Sequence, residues 1–372
     1  MDNLQWVTPI SMALAMGYFF LVMYLLNHPK PKKKIINNWP AISLLVPFRN
    51  EEENLDACCQ ALRQLDYPGK LQILLLNDGS SDASVTIVES YLKDTANFSL
   101  IHIEKEIEGL RGKMNVLAHG IKMAEGEYIF VTDADCQPHR NWLKTTMEYF
   151  DEKTALVSGF TVLKLRNNDK QKLFEKLQII DWIFLQGLAS SASNAGKPIT
   201  VIGNNLAFKK SVYDQLGGFE NVGFSVTEDH ALMQAILDKT DFDVKYINDS
   251  AGPVYSYPVN RFNDFVQQRQ RWIKGGLKGR PFAFFLVGFS YIAHLIIPLI
   301  FISGPYNMLT ATAIGLIVGI DYFQLKRNLK TFNLENYKSE FIKYEVFYLL
   351  YSSFLFLMLP FPKKVKWKGR QY

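Results

Sequence analysis

Hydrophobic and polar positions divide the chain into an apolar start, a mixed middle and an apolar end. Residues 6–26 form an uncharged apolar run, which as a helix is roughly 30 Å long and therefore long enough to cross a bilayer. Three further apolar stretches, at about 282–302, 305–323 and 344–361, lie near the other end. The pattern predicts membrane helices at both ends of the chain and a water-exposed domain between them.

The middle of the chain, from residue 41 to about 260, alternates short β-prone runs with amphipathic helical stretches. The first β-prone runs lie at 41–46, 72–76, 98–103 and 128–131. Because crossovers between such strands are right-handed, this order predicts a parallel sheet whose polar strand ends share one edge. Further strands are predicted at 155–165 and 199–208, and further helices at 171–189, 231–237 and 262–279.

Charges around the first apolar run predict its orientation. The residues before it, MDNLQ, carry an acid and no base, whereas the basic sequence HPKPKKK follows it directly. A cleavable signal peptide has its positive charge in front, so we expect a retained anchor whose N-terminus lies outside. We therefore expect a multi-pass protein of the cell (inner) membrane with its catalytic domain in the cytoplasm.

The apolar stretch at 344–361 is short and ends at Pro360 and Pro362, which is typical of a re-entrant or interfacial segment. If all four apolar stretches crossed the membrane, the basic tail would lie outside, against the positive-inside rule. We therefore expect three crossings, with one of the C-terminal stretches not spanning.

Composition supports a membrane partner. The chain has 372 residues, of which 48% are hydrophobic, and a net charge of +5 whose basic clusters at 28–34 and 363–370 adjoin apolar segments. Such placement favours lipid headgroups, and we expect no nucleic-acid partner. Cys58, Cys59 and Cys136 match neither a metal spacing nor a disulfide framework, which indicates a reducing compartment.

The strongest chemical signal lies in the sequence GEYIFVTDADCQPHRNWL at 126–143. Its β-prone run ends in two carboxylates at one-residue spacing, Asp133 and Asp135. Carboxylates at the end of a strand can hold Mg²⁺ or Mn²⁺ against a diphosphate, since these cations prefer oxygen ligands. The alternative is an ordinary Asp-rich turn.

Two residues further back in the chain suit a nucleotide. Asp78, in LLLNDGSSD, follows a strand and can accept a hydrogen bond from the imide N–H of a uracil ring. Lys113 follows two glycines and can neutralise a diphosphate, although Met114 after it excludes a Walker loop. The alternatives are a turn aspartate and a solvated lysine at a helix start.

Acids and a basic aromatic segment follow the sheet. Glu228 and Asp229 open a helix, where acids are also favoured by the dipole alone, and Asp229 is the candidate base. Gln268, Arg271 and Trp272 lie at i, i+3 and i+4, so one helical face presents all three. Arginine there can grip a phosphate and tryptophan can stack on a sugar; the alternative is a basic helix snorkelling beside lipid.

In this order, the motifs resemble the membrane-bound inverting glycosyltransferases of family 2, the group containing cellulose synthase, hyaluronan synthase and ceramide glucosyltransferase. The resemblance covers 41 to about 280 through VPFRNEE, NDGSSD, GKMNVLAHG, TDAD, GNNLAF, TED and QRQRW, and the ending VKWKGRQY looks like tails of bacterial members. One departure is Asn77, where many members have a second aspartate beside the position of Asp78.

The resemblance implies an α/β fold of the GT-A type, a mostly parallel nucleotide-sugar-binding sheet, joined to transmembrane helices. The expected domains are an anchor with its basic flank (1–34), a catalytic domain (35–260), an amphipathic interfacial segment (261–280) and a C-terminal membrane domain with a basic tail (281–372).

The resemblance also assigns roles to the candidate residues. Asp229 would deprotonate the acceptor hydroxyl, and Asp133 and Asp135 would hold Mg²⁺ or Mn²⁺. The nucleotide-sugar donor, a UDP-sugar, would contact Asp78, Lys113, Asp133 and Arg271. The acceptor would contact Asn204, Asn205, Glu228, Gln268 and Trp272.

Few membrane segments and no appended regulatory domain favour a lipid or lipid-linked acceptor, with a processive polysaccharide synthase as the alternative. A membrane nucleotidyltransferase would share the sheet and the acids but would release pyrophosphate. A third alternative is a non-catalytic scaffold or transporter subunit. For such a subunit, His294 and Asp321 in the C-terminal apolar stretches are too few polar groups to make a convincing transport pathway.

Overall fold

The computed structural model describes residues 6–166, 172–358, 366–367 and 370–371. The chain divides into two compact units, which we call the helical unit and the sheet unit. The helical unit comprises Met1–Pro29, Asp169–Ile199 and Gly279–Lys363. The sheet unit comprises Lys30–Asn168, Thr200–Lys278 and Lys364–Tyr372.

The strands of the described residues are numbered along the chain. They are β1 (Ile42–Phe48), β2 (Leu71–Asn77), β3 (Phe98–His102), β4 (Tyr128–Val131), β5 (Gln137–Pro138), β6 (Thr154–Ser158), β7 (Thr161–Leu163), β8 (Leu206–Lys209), β9 (Asp243–Tyr246), β10 (Val254–Ser256), β11 (Lys366–Trp367) and β12 (Arg370–Gln371).

The helices are numbered in the same way. They are α1 (Val7–Leu26), α2 (Leu55–Arg63), α3 (Ser84–Leu92), α4 (Gly112–Met123), α5 (Trp142–Met147), α6 (Leu173–Asn194), α7 (Lys210–Gln215), α8 (Gly218–Val222), α9 (Glu228–Lys239), α10 (Phe262–Gly276), α11 (Pro281–Ser303), α12 (Met308–Thr331) and α13 (Phe341–Met358), with a 3₁₀ helix at Glu335–Glu340.

The sheet unit is organised around a seven-stranded sheet in the order β3-β2-β1-β4-β8-β6-β9. Strands β1 to β4 pair in parallel, and so do β6 and β9. Strand β8 runs antiparallel to both of its neighbours. The predicted α/β fold with a mostly parallel sheet is therefore confirmed.

The prediction of a single strand at 155–165 is wrong, because the structure has two strands in this region, β6 and β7. Strand β7 belongs instead to a three-stranded sheet in the order β5-β10-β7. Between β6 and β7, Gly159 donates its N–H to the Asn205 carbonyl at 3.0 Å, and a Cβ there would lie 2.8 Å from the Asn205 Oδ1. The chain leaves the large sheet at Gly159, where it passes close to Asn205.

Both faces of the large sheet are buried, since side chains alternate between two apolar clusters. Along β1, Leu45 packs with the helix α4 residues Met114 and Leu117, whereas Leu44 and Val46 pack in the other cluster. Burial on both faces explains why these strands read as continuous apolar runs in the sequence.

The helical unit contains the helices that are long and apolar enough to cross a membrane. Among the described residues these are Val7–Leu26, Pro281–Ile302 and Met308–Thr331. Buried side chains of α1, α11 and α12 form one apolar cluster, while large apolar residues such as Phe20 and Phe301 remain exposed at 61% and 65%. Such an exposed apolar surface suits a lipid environment.

Helix α6 lies within the predicted catalytic domain at 35–260, and residues 169–199 group with the helical unit. The helix contacts α1, α12 and α13. Its Gly187 allows close approach to α12, since a Cβ there would lie 2.6 Å from the Gln324 Nε2. The sequence pattern identified a buried face on this helix but not the surface that covers it.

Helix α13, with 18 residues, corresponds to the short apolar stretch predicted at 344–361. It is not among the three helices that meet the length and hydropathy required of a span. Pro360, Pro362 and most of the predicted basic tail at 363–370 lie outside the described residues. Within the tail, β11 and β12 form a two-stranded antiparallel pair.

Candidate active site

The carboxyl ends of the parallel strands deliver the candidate residues to one edge of the sheet. Asp78 follows β2, and Asp133 and Asp135 follow β4, with β1 hydrogen-bonded between these two strands. Two strand spacings separate the ends of β2 and β4 by about 10 Å. A nucleotide can therefore extend along this edge from Asp78 towards the paired acids.

Lys113 joins two acids that lie far apart in the sequence. It is the second residue of α4, and its Nζ lies 2.6 Å from the Asp133 Oδ1 and 2.9 Å from the Glu228 Oε1. Burial alone would lower the pKa of Lys113, but the two carboxylates outweigh this effect and raise it above its ordinary value. A charged lysine thus connects the end of β4 to the start of α9.

Asp229, the second residue of α9, lies beside this ion-pair group. Its Oδ1 accepts the backbone N–H of His230 at 2.8 Å, and a Cβ on Gly203 would lie 3.1 Å from its Oδ2. Burial and then Glu228 raise the pKa of the Asp229 carboxyl group, Lys113 and Arg271 oppose the shift, and the net pKa is about 7. The carboxyl group can consequently accept a proton near neutral pH.

Asp135 lies in a polar chain that includes a cysteine. Its carboxyl group accepts a hydrogen bond from the Cys136 thiol at 3.3 Å, and the Asn204 side-chain amide donates to the Cys136 sulfur at 3.3 Å. The Asp135 side chain is exposed to solvent. The pKa of its carboxyl group is raised, first by desolvation from the surrounding protein and second by the negative charge of Asp133. Asn204, expected on the acceptor side, therefore helps to orient the acidic pair through Cys136.

Asn205, which the sequence predicts to contact the acceptor, has a buried side chain that is hydrogen-bonded within the sheet unit. The residue is 1% exposed; its Oδ1 accepts the Trp142 indole N–H at 2.8 Å, and its amide donates to the Phe160 carbonyl at 2.8 Å. These contacts make Asn205 part of the framework beneath the site. Glu228, also expected to contact the acceptor, is paired with Lys113.

Helix α10 packs against the start of α9. A Cβ on Gly275 would lie 2.8 Å from the Cβ of Thr227, the residue before α9. Gln268, Arg271 and Trp272 are all partly buried on this helix. Because Arg271 acts electrostatically on Asp229, the Q-x-x-R-W segment contributes positive charge near the candidate base.

Arg269 is a residue of α10 that sequence reasoning missed. It is 5% exposed, and its guanidinium carbon lies 4.2 Å from the centre of the Trp272 ring and 4.7 Å from that of Phe265. This cation–π contact holds the Trp272 ring in place. The available signal was the first arginine of QRQRW, a position that the Q-x-x-R-W spacing leaves unspecified.

A second missed residue, Arg49, lies beside Asp78. Its Nη1 donates to the Asp78 carbonyl at 2.6 Å and lies 4.0 Å from the Asp78 Oδ2. Asn77, where many resembling proteins have aspartate, accepts the Ser80 N–H at 2.9 Å and so stabilises the turn after β2. The sequence VPFRNEE carried the signal for Arg49, as a base directly after the end of β1.

The structure thus brings Lys113, Asp133, Glu228, Asp229 and Arg271 into one interacting group. Asp135 joins it through its neighbour Asp133, and Asp78 lies along the same edge, two strands away. Gln268 and Trp272 lie on α10, next to the group. The thiol of Cys136, a residue whose spacing predicts neither a metal site nor a disulfide, adds the contact with Asp135.

A strand edge with paired acids, a buried lysine and a candidate base is compatible with an enzyme that handles a negatively charged donor. The model of Glycosyl transferase family 21 matches residues 7–372. The chain belongs to this family and is a glycosyltransferase. The expected enzyme class is therefore confirmed, and the family shown is 21, whereas the sequence motifs resemble family 2.

Curated relatives and solved structures give further similarity. The chain is 27% identical over 340 residues to a poly-beta-1,6-N-acetyl-D-glucosamine synthase of Staphylococcus epidermidis, covering 87% of this chain and 77% of that protein. It is 26% identical over 284 residues to the probable glycosyltransferase YdaM of Bacillus subtilis, covering 73% and 64%.

Among solved structures, the chain is similar to the mannosyltransferase PcManGT of Pyrobaculum calidifontis, in complex with GDP-Man and Mn²⁺. The TM-score is 0.58 with 17% sequence identity, covering 93% of this chain and 97% of that chain. At this identity the likeness shows a shared fold of the GT-A type.

Packing of α10 on the start of α9 generates a prediction. Replacing Gly275 by alanine places a methyl group against Thr227, which is too short to move aside, so α10 must shift away from Asp229. We expect the Gly275→Ala variant to lose about tenfold or more in kcat/KM, because small displacements of positioning groups are costly. Transfer from a labelled nucleotide sugar measures this loss.

The matched control is Gly276→Ala, since no atom lies within 4 Å of a Cβ built at Gly276. Both substitutions add the same helix-favouring methyl group to α10. Equal activities of the two variants would show that contact with Thr227 does not position the Q-x-x-R-W segment.

Proposed function

We propose that the protein is a membrane-bound, inverting glycosyltransferase that moves a sugar from a UDP-sugar to a growing glycan chain. The observation that carries this proposal is the double ion pair of Lys113, which brings the candidate diphosphate site at Asp133 next to Glu228 and Asp229. A donor whose diphosphate lies at Asp133 would therefore present its sugar towards Asp229.

The acids after β4 fit a divalent cation. Asp133 and Asp135 offer carboxylate oxygens one residue apart, the donor type preferred by Mg²⁺ and Mn²⁺, and Asp135 is open to solvent. When bound, such an ion would neutralise part of the negative charge of the diphosphate. Mn²⁺ in the similar mannosyltransferase supports this assignment.

Asp229 acts as the general base in the proposed reaction. Its carboxylate accepts the proton of an acceptor hydroxyl while that oxygen attacks the anomeric carbon of the donor sugar. The bond from the anomeric carbon to the phosphate oxygen breaks at the same time, and its electron pair leaves with the nucleoside diphosphate. Attack from the side opposite the leaving group inverts the configuration at the anomeric carbon.

Positive side chains stabilise the leaving diphosphate, whose negative charge increases as the bond breaks. Lys113 and Arg271 both lie close enough to the site to act on the Asp229 carboxylate. Their stabilisation is greater in the transition state than with bound substrate, which is the condition for acceleration. Asp78 and the neighbouring Arg49 would hold the nucleoside end of the donor.

A glycan acceptor replaces the lipid acceptor that the sequence favoured. The curated relative from Staphylococcus epidermidis, with its similarity across 87% of this chain, is a polysaccharide synthase. We propose N-acetylglucosamine as the transferred sugar, and Trp272, held by Arg269, as a stacking surface for the acceptor.

Three spanning helices make the protein multi-pass in this proposal. Helices α1, α11 and α12 have the required length and hydropathy, and the basic run at 28–34 follows the first of them directly. By the positive-inside rule, that run and the sheet unit after it lie in the cytoplasm, where nucleotide sugars are available.

Removal of the proposed base gives a direct prediction. In Asp229→Asn, an amide of almost the same shape can no longer accept the proton, so transfer falls by about 10²–10⁴-fold. Binding of UDP, measured calorimetrically with the divalent cation present, stays close to that of the unaltered protein. The control is Asp214→Asn, at an exposed position of α7, which keeps full activity.

The pH dependence of kcat/KM also tests whether Asp229 is the base. Because burial and Glu228 raise the pKa of Asp229 to about 7, its carboxyl group is protonated below that pH and cannot act as a base. In the unaltered protein kcat/KM therefore rises with pH and levels off above about 7, and this rise is absent from the residual activity of Asp229→Asn. Undiminished turnover by Asp229→Asn would exclude the residue as the base.

Products identify the donor and the acceptor. We expect membranes containing the protein to use UDP-N-acetylglucosamine in preference to UDP-glucose or GDP-mannose, and to release UDP. Labelled product is then separated into lipid-extractable and polymeric fractions, and the proposal places the label in polymer. The Asp229→Asn variant supplies the background for each donor.

Other results of this product analysis would each favour a different alternative. Label confined to the lipid-extractable fraction would refute the glycan acceptor but leave glycosyl transfer intact. Release of pyrophosphate would indicate nucleotidyl transfer, and no turnover of any nucleotide sugar would favour the scaffold alternative.

A further inference from the structure

The interior of the helical unit holds a cluster of ionisable side chains that the proposed reaction does not use. His294 of α11, Asp321 of α12 and Glu345 of α13 each direct one potential metal-ligand atom to a common point, with these atoms all within 4.8 Å of one another. His294 and Asp321 are 2% and 1% exposed. Burying ionisable groups within membrane helices is unfavourable in free energy, so a cluster of them is a candidate functional site.

Hydrogen bonds define which histidine nitrogen faces the cluster. The His294 Nδ1 lies 2.7 Å from the backbone carbonyl oxygen of Ser290, which can only accept, so Nδ1 carries a proton. The Nε2 is directed to the acids, 2.7 Å from the Asp321 Oδ2 and 3.7 Å from the Glu345 Oε2. A histidine that donates one N–H to a carbonyl and offers the other nitrogen is typical of a metal ligand.

Glu345 supplies an independent observation. Its side chain is 11% exposed, and its buried Oε2 has no hydrogen-bond partner in the part of the chain that the structure describes. Leaving a buried carboxylate oxygen without a partner is unfavourable. This oxygen is directed to the same point as the His294 Nε2, where a cation would satisfy it.

Charge balance is compatible with a divalent ion. A neutral imidazole, two carboxylates and a divalent cation sum to zero, as counted from His294, Asp321 and Glu345, which suits a low-dielectric interior. A proton at the Nε2–Oδ2 contact leaves the buried Glu345 Oε2 without a hydrogen-bond partner among the described residues, whereas a metal ion at the common point would contact it.

We propose that His294 Nε2, Asp321 Oδ2 and Glu345 Oε2 form a binding site for a divalent transition-metal ion, with Zn²⁺ as the best-fitting representative. One nitrogen and two oxygen ligands suit Zn²⁺, and tetrahedral bonds of about 2.0–2.1 Å place ligand atoms about 3.3 Å apart. The observed distances from the His294 Nε2, 2.7 and 3.7 Å, lie about half an ångström on either side of that value, and the two carboxylate oxygens lie within 4.8 Å of each other.

Tyr18 supports the proposed site from α1. Its Oη donates to the Asp321 Oδ1 at 2.6 Å, which leaves the Oδ2 of the same carboxylate directed to the histidine. Hydrogen bonds of this kind orient metal-bound carboxylates and strengthen metal binding. The ion would connect α11, α12 and α13 directly and α1 through Tyr18, so it would brace these four helices of the helical unit.

Metal retention by the full-length protein tests the proposal. The protein is purified in detergent on an Asp135→Ala background, which removes a proposed metal ligand of the active site. It is then stripped with chelator, incubated with Zn²⁺ and desalted. Elemental analysis should find about one zinc per chain, as expected for a tight three-ligand site. Substitution by Co²⁺ should give the visible absorption of a tetrahedral centre.

Variants locate the ion. Glu345→Gln and His294→Gln should each lose the retained zinc, and Tyr18→Phe should weaken zinc affinity by about 10–100-fold, the usual effect of removing a hydrogen bond to a ligand. His28→Gln is the matched control, because the His28 Nδ1 lies 2.8 Å from the Tyr24 carbonyl, outside the cluster. This variant should retain the zinc.

Two results would overturn the proposal. If the Asp135→Ala protein retains no zinc, the cluster is a proton-linked ion pair rather than a metal site. If zinc is retained equally after Glu345→Gln, the ion binds elsewhere. Because this variant is nearly isosteric, it tests the position of the ion even if His294→Gln fails to fold. Neither result bears on glycosyl transfer, which is measured separately.

Discussion

Lys113 is the ammonium group on which the geometry of the candidate site depends. Two carboxylates at the ends of separate elements, Asp133 after β4 and Glu228 at the start of α9, would repel each other and be poorly solvated without it. With Nζ at 2.6 and 2.9 Å from them, the strand end and the helix start are held together. Asp229 is the next residue after Glu228, so this ion pair also positions the proposed base.

The other parts of the site build on that connection. Gly203 lets its loop pass directly beside Asp229, and Gly275 lets α10 pack against Thr227. Helix α10 then contributes the charge of Arg271 and the Trp272 ring, which is packed against Arg269. A displacement of α9 would therefore disturb the base, the loop and the basic helix together.

The sequence predicted those features that follow from local pattern. Strands β1 to β4 were predictable because both of their faces are buried, which produces continuous apolar runs bounded by polar turns. Their shared edge followed from the handedness of the crossovers, and the acids at that edge followed from the spacing in TDAD.

Features that depend on distant contacts were not predictable in this way. Helix α6 has a buried face, but its sequence does not reveal that α1, α12 and α13 cover it. Asn205 resembles a site residue in sequence, yet its side chain bonds to Trp142 and Phe160 in the framework. Cys136 and Arg49 gain their roles from neighbours that the fold alone brings near.

A double-mutant cycle between Lys113 and Glu228 tests most directly whether their ion pair organises the site. Transfer rates are compared for the unaltered protein, Lys113→Met, Glu228→Gln and the double variant. The exposed pair of Lys122 and Glu220, 2.6 Å apart, serves as the control cycle. We predict a coupling free energy of at least about 1.4 kcal/mol for Lys113 and Glu228, within the range for residues in one ion-pair network, and almost none for the control. Additive effects of the two substitutions, within about 0.5 kcal/mol, would contradict the account.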